Sequence, residues 1–262
     1  MKSKDYLKTA AQWEGEHLWD IYGISRPDEL CLEDIAFERG VLVTEGPLRK
    51  MDARLIRDGN HGIIRIREDI PESGRKRFAT AHEMGHWELH KDVSQLFECT
   101  EKDFIARYKG SSEEIQANYF AAGLLMPTKI FTANMAGLPI SIDTFRKLSE
   151  VFLTSLTATA FRYIELSEDY CAIVRSAKGT VQWCRGSKAF ESCFCILSGQ
   201  KVSNNTFAGN LFVSNMASNE NPEEVDISEW SEKNDSDNET VFIEESFFIP
   251  QYDQVFTLLH LP

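Results

Sequence analysis

RKRFATAHEMGHWELH, running from Arg75 to His90, decides how the rest of the chain is read. It contains His82-Glu83-Met84-Gly85-His86, two histidines four residues apart with a glutamate directly after the first. On a helix this spacing puts both imidazoles on one face, about one turn apart, where they can share a single Zn²⁺. Glu83 is then placed to take a proton from a water that the ion activates. The same residues also fit an ordinary amphipathic helix with its histidines on the polar side. Phe78, Ala81, Gly85 and Leu89 supply an apolar stripe at helical spacing, so a core helix is expected here. Gly85 costs such a helix about 1 kcal/mol relative to alanine, which is understandable if a neighbouring backbone or a metal site needs the room.

A hydrolytic metal site needs a third ligand, and SSEEIQANYFAAGLLMP, from Ser111 to Pro127, offers one. Ala117, Phe120, Ala121, Leu124 and Leu125 mark the buried face of a second helix, which Pro127 stops. Glu114 stands near its start and Asn118 one turn later. Ser111 followed three residues on by Glu114 is also what a capping box looks like, and taken alone the pair reads as a cap. The functional reading makes Glu114 the third metal ligand and Asn118 a hydrogen-bond partner that orients a ligand.

Together, RFATAHEMGHWELH and EIQANYFAAGLLMP resemble the ImmA/IrrE family of zinc metallopeptidases, whose pattern is approximately RF-x-x-AHE-x-GH followed by E-x-x-AN-x-FAA-x-LLMP. The resemblance implies His82, His86 and Glu114 as zinc ligands and Glu83 as catalytic base. It implies an α+β fold, with a zincin-like helical core and a small sheet, then a helix-turn-helix-like segment. Full-length members can carry a GAF-like sensory domain after that. The substrate so implied is a helix-turn-helix transcriptional repressor, whose cleavage would release a stress, phage-defence or mobile-element programme. One departure from the pattern is Glu88, which stands where such helices usually carry an apolar residue.

With 42% apolar and 26% charged residues over 262 positions, the composition is that of a globular protein with ample length for a buried core. No apolar run is long enough to span a bilayer, and MKSKDYLKTAAQWEGEHLWD lacks the apolar core of a signal peptide. A cytoplasmic protein without membrane partners is therefore expected. The formal charge of −13 is unevenly placed: twelve acidic residues and one lysine lie between Glu220 and Pro262. That region would repel nucleic acid, so any DNA contact must use another face.

Three parts are expected along the chain: a metallopeptidase core at 1–137, a helical segment at 138–169 and a β-rich regulatory or sensor domain at 170–262. In the core, helices are expected from Tyr6 to Ile21 and from Pro27 to Arg39, with extended segments at Val41–Val43, Ala53–Ile56 and Ile63–Ile66. A strand just before the metal helix could offer its edge to an extended peptide. Ile142–Ser149 and Ser155–Leu166 read as two short helices, with Arg146, Lys147 and Arg162 too few for a DNA-reading surface. Beyond Tyr170, CAIVRS, GTVQWC, FESCFCIL, TFAGNLFV, TVFIEESFFI and VFTLLHL all read as strands.

Some side chains carry two readings each. Cys99, between the two motif helices, is either a small buried hydrophobe or an inhibitory fourth zinc ligand that holds the enzyme latched. His90 could support a ligand, but a histidine near a helix C-terminus is also simply favourable to the dipole. Cys193 and Cys195, alternating on a strand, would share one side. At the level of function, one alternative to the peptidase is a non-hydrolytic, metal-stabilised module that sequesters a repressor. Another is a sensor of a ligand or single-stranded DNA, and single-stranded DNA is also a candidate activating signal.

Overall fold

The computed structural model describes residues 4–90, 97–99, 111–214, 222–231, 240–249 and 253–262. It mixes helix and sheet and divides into two compact units. One comprises residues 1–136 with 147–158, the other residues 137–146 with 159–262. No helix among the described residues is long and apolar enough to cross a membrane.

The first unit begins with helix α1 (Lys4–Tyr22), a 3-10 turn (Pro27–Glu29) and helix α2 (Leu32–Glu38). The continuous helix expected from Pro27 is thus broken at Leu30 and Cys31, both of which take extended backbone angles. The Leu30 carbonyl accepts a hydrogen bond from Arg77 at 3.2 Å, so a distant guanidinium satisfies a group that the break sets free. Strands β1 (Val41–Gly46), β2 (Ala53–Asp58) and β3 (His61–Arg67) follow, then helix α3 (Ser73–Leu89), strand β4 (Phe97–Cys99) and helices α4 (Ser112–Leu125) and α5 (Thr128–Met135).

The sheet runs β1-β3-β2-β4, with β1 parallel to β3 and the other neighbours antiparallel. This order corrects one expectation. β3, the strand directly before α3, pairs on both sides and has no free edge to lend a peptide. Along β3, Ile64 and Ile66 are buried while Ile63 is exposed, the alternation of a sheet covered on one face.

Neither motif helix is amphipathic in the ordinary sense. Residues 78–87 of α3 and 117–125 of α4 are buried without interruption, because each helix has neighbours on more than one side. α4 is wedged between α1 and α3. Phe120, Leu124 and Leu125 are at most 1% exposed, and burial of each such side chain is worth about 1.5–3 kcal/mol. The α1–α4 crossing is backbone on backbone. A Cβ on Gly15 would fall 2.2 Å from the Phe120 carbonyl oxygen, and a Cβ on Gly123 would fall 2.2 Å from that of Gln12. The Trp19 indole donates to the Leu124 carbonyl at 2.7 Å, and Glu16 accepts from the Thr128 hydroxyl at 2.6 Å, which ties the start of α5 to α1.

The second unit holds a five-stranded antiparallel sheet in the order β6-β5-β9-β8-β7. Its strands are β5 (Cys171–Ala177), β6 (Thr180–Gly186), β7 (Glu223–Asp226), β8 (Val241–Ile249) and β9 (Gln254–His260). Helices α6 (Ile142–Phe152) and α7 (Leu156–Leu166) precede it, as the sequence suggested. Arg162 is fully buried and paired with Glu165 at 3.3 Å, and Arg146 lies over the Phe247 ring, so these side chains serve packing.

Two stretches expected as strands are helices: α8 (Lys188–Cys193) and α9 (Phe207–Ser214). Ser187 caps α8 by accepting from the Phe190 amide at 3.1 Å. α9 is started by a residue far along the chain. The buried Glu244 of β8 accepts from the Ala208 amide at 2.7 Å, from the Phe207 amide at 3.3 Å and from the Trp230 indole at 3.2 Å. These bonds favour its charged form, yet burial dominates and raises its pKa.

Gly123→Ala should lower stability by roughly 2–3 kcal/mol, because overpacking against fixed backbone has no cheap relaxation. An unchanged melting temperature for that variant would mean that α1 and α4 are not in close contact.

Candidate metal centre

α3 carries His82 and His86 on successive turns, with Glu83 directly after the first, and the first turn of α4 carries Glu114. The two helices can come this close because of Gly85, where a Cβ would stand 3.0 Å from the Ala117 Cα and 3.2 Å from the Phe120 Cβ. The two readings of Ser111 and Glu114 are compatible. The Ser111 hydroxyl accepts from the Glu114 amide at 3.4 Å, while the Glu114 carboxylate turns away from the cap toward the histidines.

The donor atoms converge. His82 Nε2 and His86 Nε2 are 3.0 Å apart, and the Glu114 carboxylate lies 3.1 Å from the first and 3.3 Å from the second. Two nitrogens on one tetrahedral zinc ion would be roughly 3.3 Å apart, only a few tenths of an ångström from what is seen. Among the described residues, these three side chains form the one group of such donors able to hold a metal ion.

Asn118 Oδ1 is 3.0 Å from His82 Nδ1. With the amide oxygen as acceptor, His82 Nδ1 carries the proton and its Nε2 lone pair faces the cluster. His86 is held in the same manner by His90, whose Nδ1 is 3.0 Å from His86 Nδ1. His90 therefore does more than favour a helix dipole: it is 7% exposed and its own amide donates to the His86 carbonyl at 3.1 Å.

The ionisable groups of the cluster are strongly perturbed by burial and by one another. His82, Glu83 and His86 are fully buried. Burial opposes the charge of Glu114, yet the His82 and His86 rings beside it hold its carboxyl well below the usual range. Burial opposes the charge of His82 too, and Glu114 and Glu83 more than offset it, so His82 is raised while burial lowers His86 to about 4. Positive charge is thus favoured at His82 and disfavoured at His86. Burial pushes the Glu83 carboxyl up to about 8, against the pull of His82 and of the Leu55 backbone on β2. Neither Glu83 oxygen makes a full hydrogen bond. A carboxyl so raised is largely protonated at neutral pH, and a nearby cation would favour its charged form.

Residues without a motif complete the support. Arg57 of β2 donates to the Trp87 carbonyl at 2.6 Å, and its guanidinium lies 3.8 Å from the centre of the Trp87 ring. The Trp87 indole donates to the Arg39 carbonyl at 3.1 Å. Glu88, the departure noted in the sequence, is half-buried and 3.6 Å from Arg39 Nη1, so its charge has a partner. These contacts anchor the C-terminal turn of α3 and with it His86. Cys99 enters through its backbone, which pairs with Ala53, and its side chain lies outside the described residues.

Asn118→Ala should weaken metal binding by about 10–100-fold while leaving the three donors in place. Competition with a chromogenic chelator would measure it, and an affinity equal to that of the parent would mean that Asn118 does not orient His82.

Residues 36–163 match the family model described as the IrrE N-terminal-like domain (Peptidase_M78). No curated protein matches the chain in sequence. Among solved structures, a Mycobacterium tuberculosis transcriptional regulator is similar over 97% of this chain and 87% of that one, with 16% identity and a TM-score of 0.62. At that identity the likeness is one of fold.

Proposed function

The chain belongs to the ImmA/IrrE family through its IrrE N-terminal-like domain at residues 36–163, and from that premise we propose that it is a zinc-dependent endopeptidase acting on a helix-turn-helix transcriptional repressor. The observation that supports this reading most is the convergence of His82 Nε2, His86 Nε2 and the Glu114 carboxylate, with the buried carboxyl of Glu83 on the same helix turn.

In this reading His82, His86 and Glu114 hold zinc, and two nitrogens with one carboxylate are a donor set that suits that ion. Zinc bound there would lower the pKa of a water and polarise a peptide carbonyl. Glu83 Oε1 or Oε2 takes the proton of the attacking water and passes it to the leaving amine. Asn118 and His90 keep the imidazoles turned so that both Nε2 lone pairs face inward. The buried surroundings exclude bulk water, which strengthens each of these charge interactions.

The substrate class follows from family resemblance, as do derepression of a stress, phage-defence or mobile-element programme and action in the cytoplasm. Latching by Cys99 belongs to the same proposal.

The test is incubation of the purified, zinc-loaded protein and two variants with the helix-turn-helix repressor encoded nearest to its gene, following intact repressor by gel. Glu83→Gln should retain stoichiometric zinc and cleave at least about 100-fold more slowly. His82→Ala should lose the zinc. Cleavage by Glu83→Gln at the parental rate would remove Glu83 as base, and full zinc content in His82→Ala would remove the ligand set. Binding of the repressor without cleavage by the parent would favour the sequestering module.

A further inference from the structure

The second unit contains a cavity of about 360 Å³ lined by three cysteines, Cys184, Cys193 and Cys195, together with Phe190, Phe194 and Glu191. None of these residues belongs to the metal centre of the first unit. Cys184 sits on β6 opposite Val174, Cys193 is the last residue of α8, and Cys195 follows two positions later. The spacing of the last two matters although they are not on a strand. Phe194 turns into an aromatic cluster, with ring centres 5.2 Å from Phe190 and 5.3 Å from Phe242, while Cys193 and Cys195 on either side of it are both exposed. The Cys195 backbone is fixed from two directions, its amide donating to Ser231 Oγ at 3.1 Å and its carbonyl accepting from that hydroxyl at 3.3 Å.

The donor chemistry of the cavity is soft. Its one carboxylate, Glu191, already lends Oε1 to Arg185 and to the Gly186 amide, both at 3.3 Å. Three thiols between aromatic walls suit a thiophilic centre and poorly suit a hard cation such as Mg²⁺ or Ca²⁺. We propose that this cavity binds a three-coordinate thiophilic centre of the trivalent arsenic type through the sulfurs of Cys184, Cys193 and Cys195. The three sulfurs are farther apart than the donors of the metal centre, which lie within 4.8 Å of one another. They close on the ligand by rotation about their Cα–Cβ bonds, which the exposure of Cys193 and Cys195 leaves free.

The exchange balances without an oxidant. Arsenous acid, As(OH)₃, loses three As–O bonds and gains three As–S bonds; each thiol hydrogen leaves with a hydroxide as water, and arsenic stays trivalent. Because neutral thiols react and neutral water departs, the reaction is compatible with a buried thiol. Burial does raise Cys184 well above the usual thiol range. A divalent cation would instead have to expel protons from those thiols.

The test uses the full chain, reduced with a phosphine and titrated with arsenite. Binding is followed by the ultraviolet sulfur-to-arsenic charge-transfer band and by native mass spectrometry, which reads the mass of one arsenic less three hydrogens. One equivalent should bind. Cys193→Ser and Cys195→Ser should each weaken binding at least about tenfold through loss of one of three linked bonds, and Cys31→Ser should leave it unchanged. These two exposed positions carry the test, since Cys184→Ser can also disturb packing. No arsenic adduct, or an adduct indifferent to Cys193→Ser and Cys195→Ser, would overturn the proposal. So would tighter binding of Zn²⁺ than of arsenite by the same thiols. Neither result bears on the peptidase reading, whose residues lie in the other unit.

Discussion

The approach of α4 to α3 is the constraint from which the candidate metal centre follows. Glu114 reaches the two histidines only because Gly85 and Ala117 let the helix backbones meet with almost no side chain between them. A similar economy holds α4 from behind, where Gly15 and Gly123 place α1 directly against it. Three helices in file, with glycines at their crossings, fix the position of one carboxylate. The price of this tight packing is the uninterrupted burial of both motif helices, and burial is what gives the ionisable groups their unusual properties.

Two carboxylates and two imidazoles removed from water within one small volume form an electrostatic problem that the surrounding polar groups only partly solve. Asn118 and His90 satisfy the outer nitrogens, and Glu114 is held by the histidines themselves. Glu83 has only the pull of the Leu55 backbone, short of a full hydrogen bond. Desolvation of such a group costs several kcal/mol. That a folded chain retains it is more informative about use than a conserved-looking motif would be, because packing alone would favour an apolar residue there.

Much of this was legible in the sequence because it is local. His82, Glu83 and His86 lie within five residues, and helical spacing alone puts the histidines together. Glu114 needed the second motif, since Ser111 equally predicts a cap, and the structure has the cap together with the Glu114 carboxylate beside the histidines. Arg57, Trp87 and the service of His90 to His86 were not legible, because they depend on how β2 and β3 lie under α3. The free edge expected of β3 failed for the same reason: strand order in space, β1-β3-β2-β4, is not strand order in the chain. In the second unit, the Phe- and Val-rich segments 188–193 and 207–214 have strand-like composition, but Ser187 and the remote Glu244 supply helix starts that override it.

The helix α1 lies wholly outside residues 36–163, the part of the chain that matches the family model. Yet the crossing at Gly15 and Gly123, the Trp19 bond to Leu124 and the Glu16 bond to Thr128 all come from it. The smallest fragment able to keep Glu114 in position therefore extends beyond the recognisable motif region. Trimmed to that region, the chain would bare the Phe120–Leu124 side of α4 to water, and the position of Glu114 beside the two histidines would rest on one helix contact where the whole molecule has two.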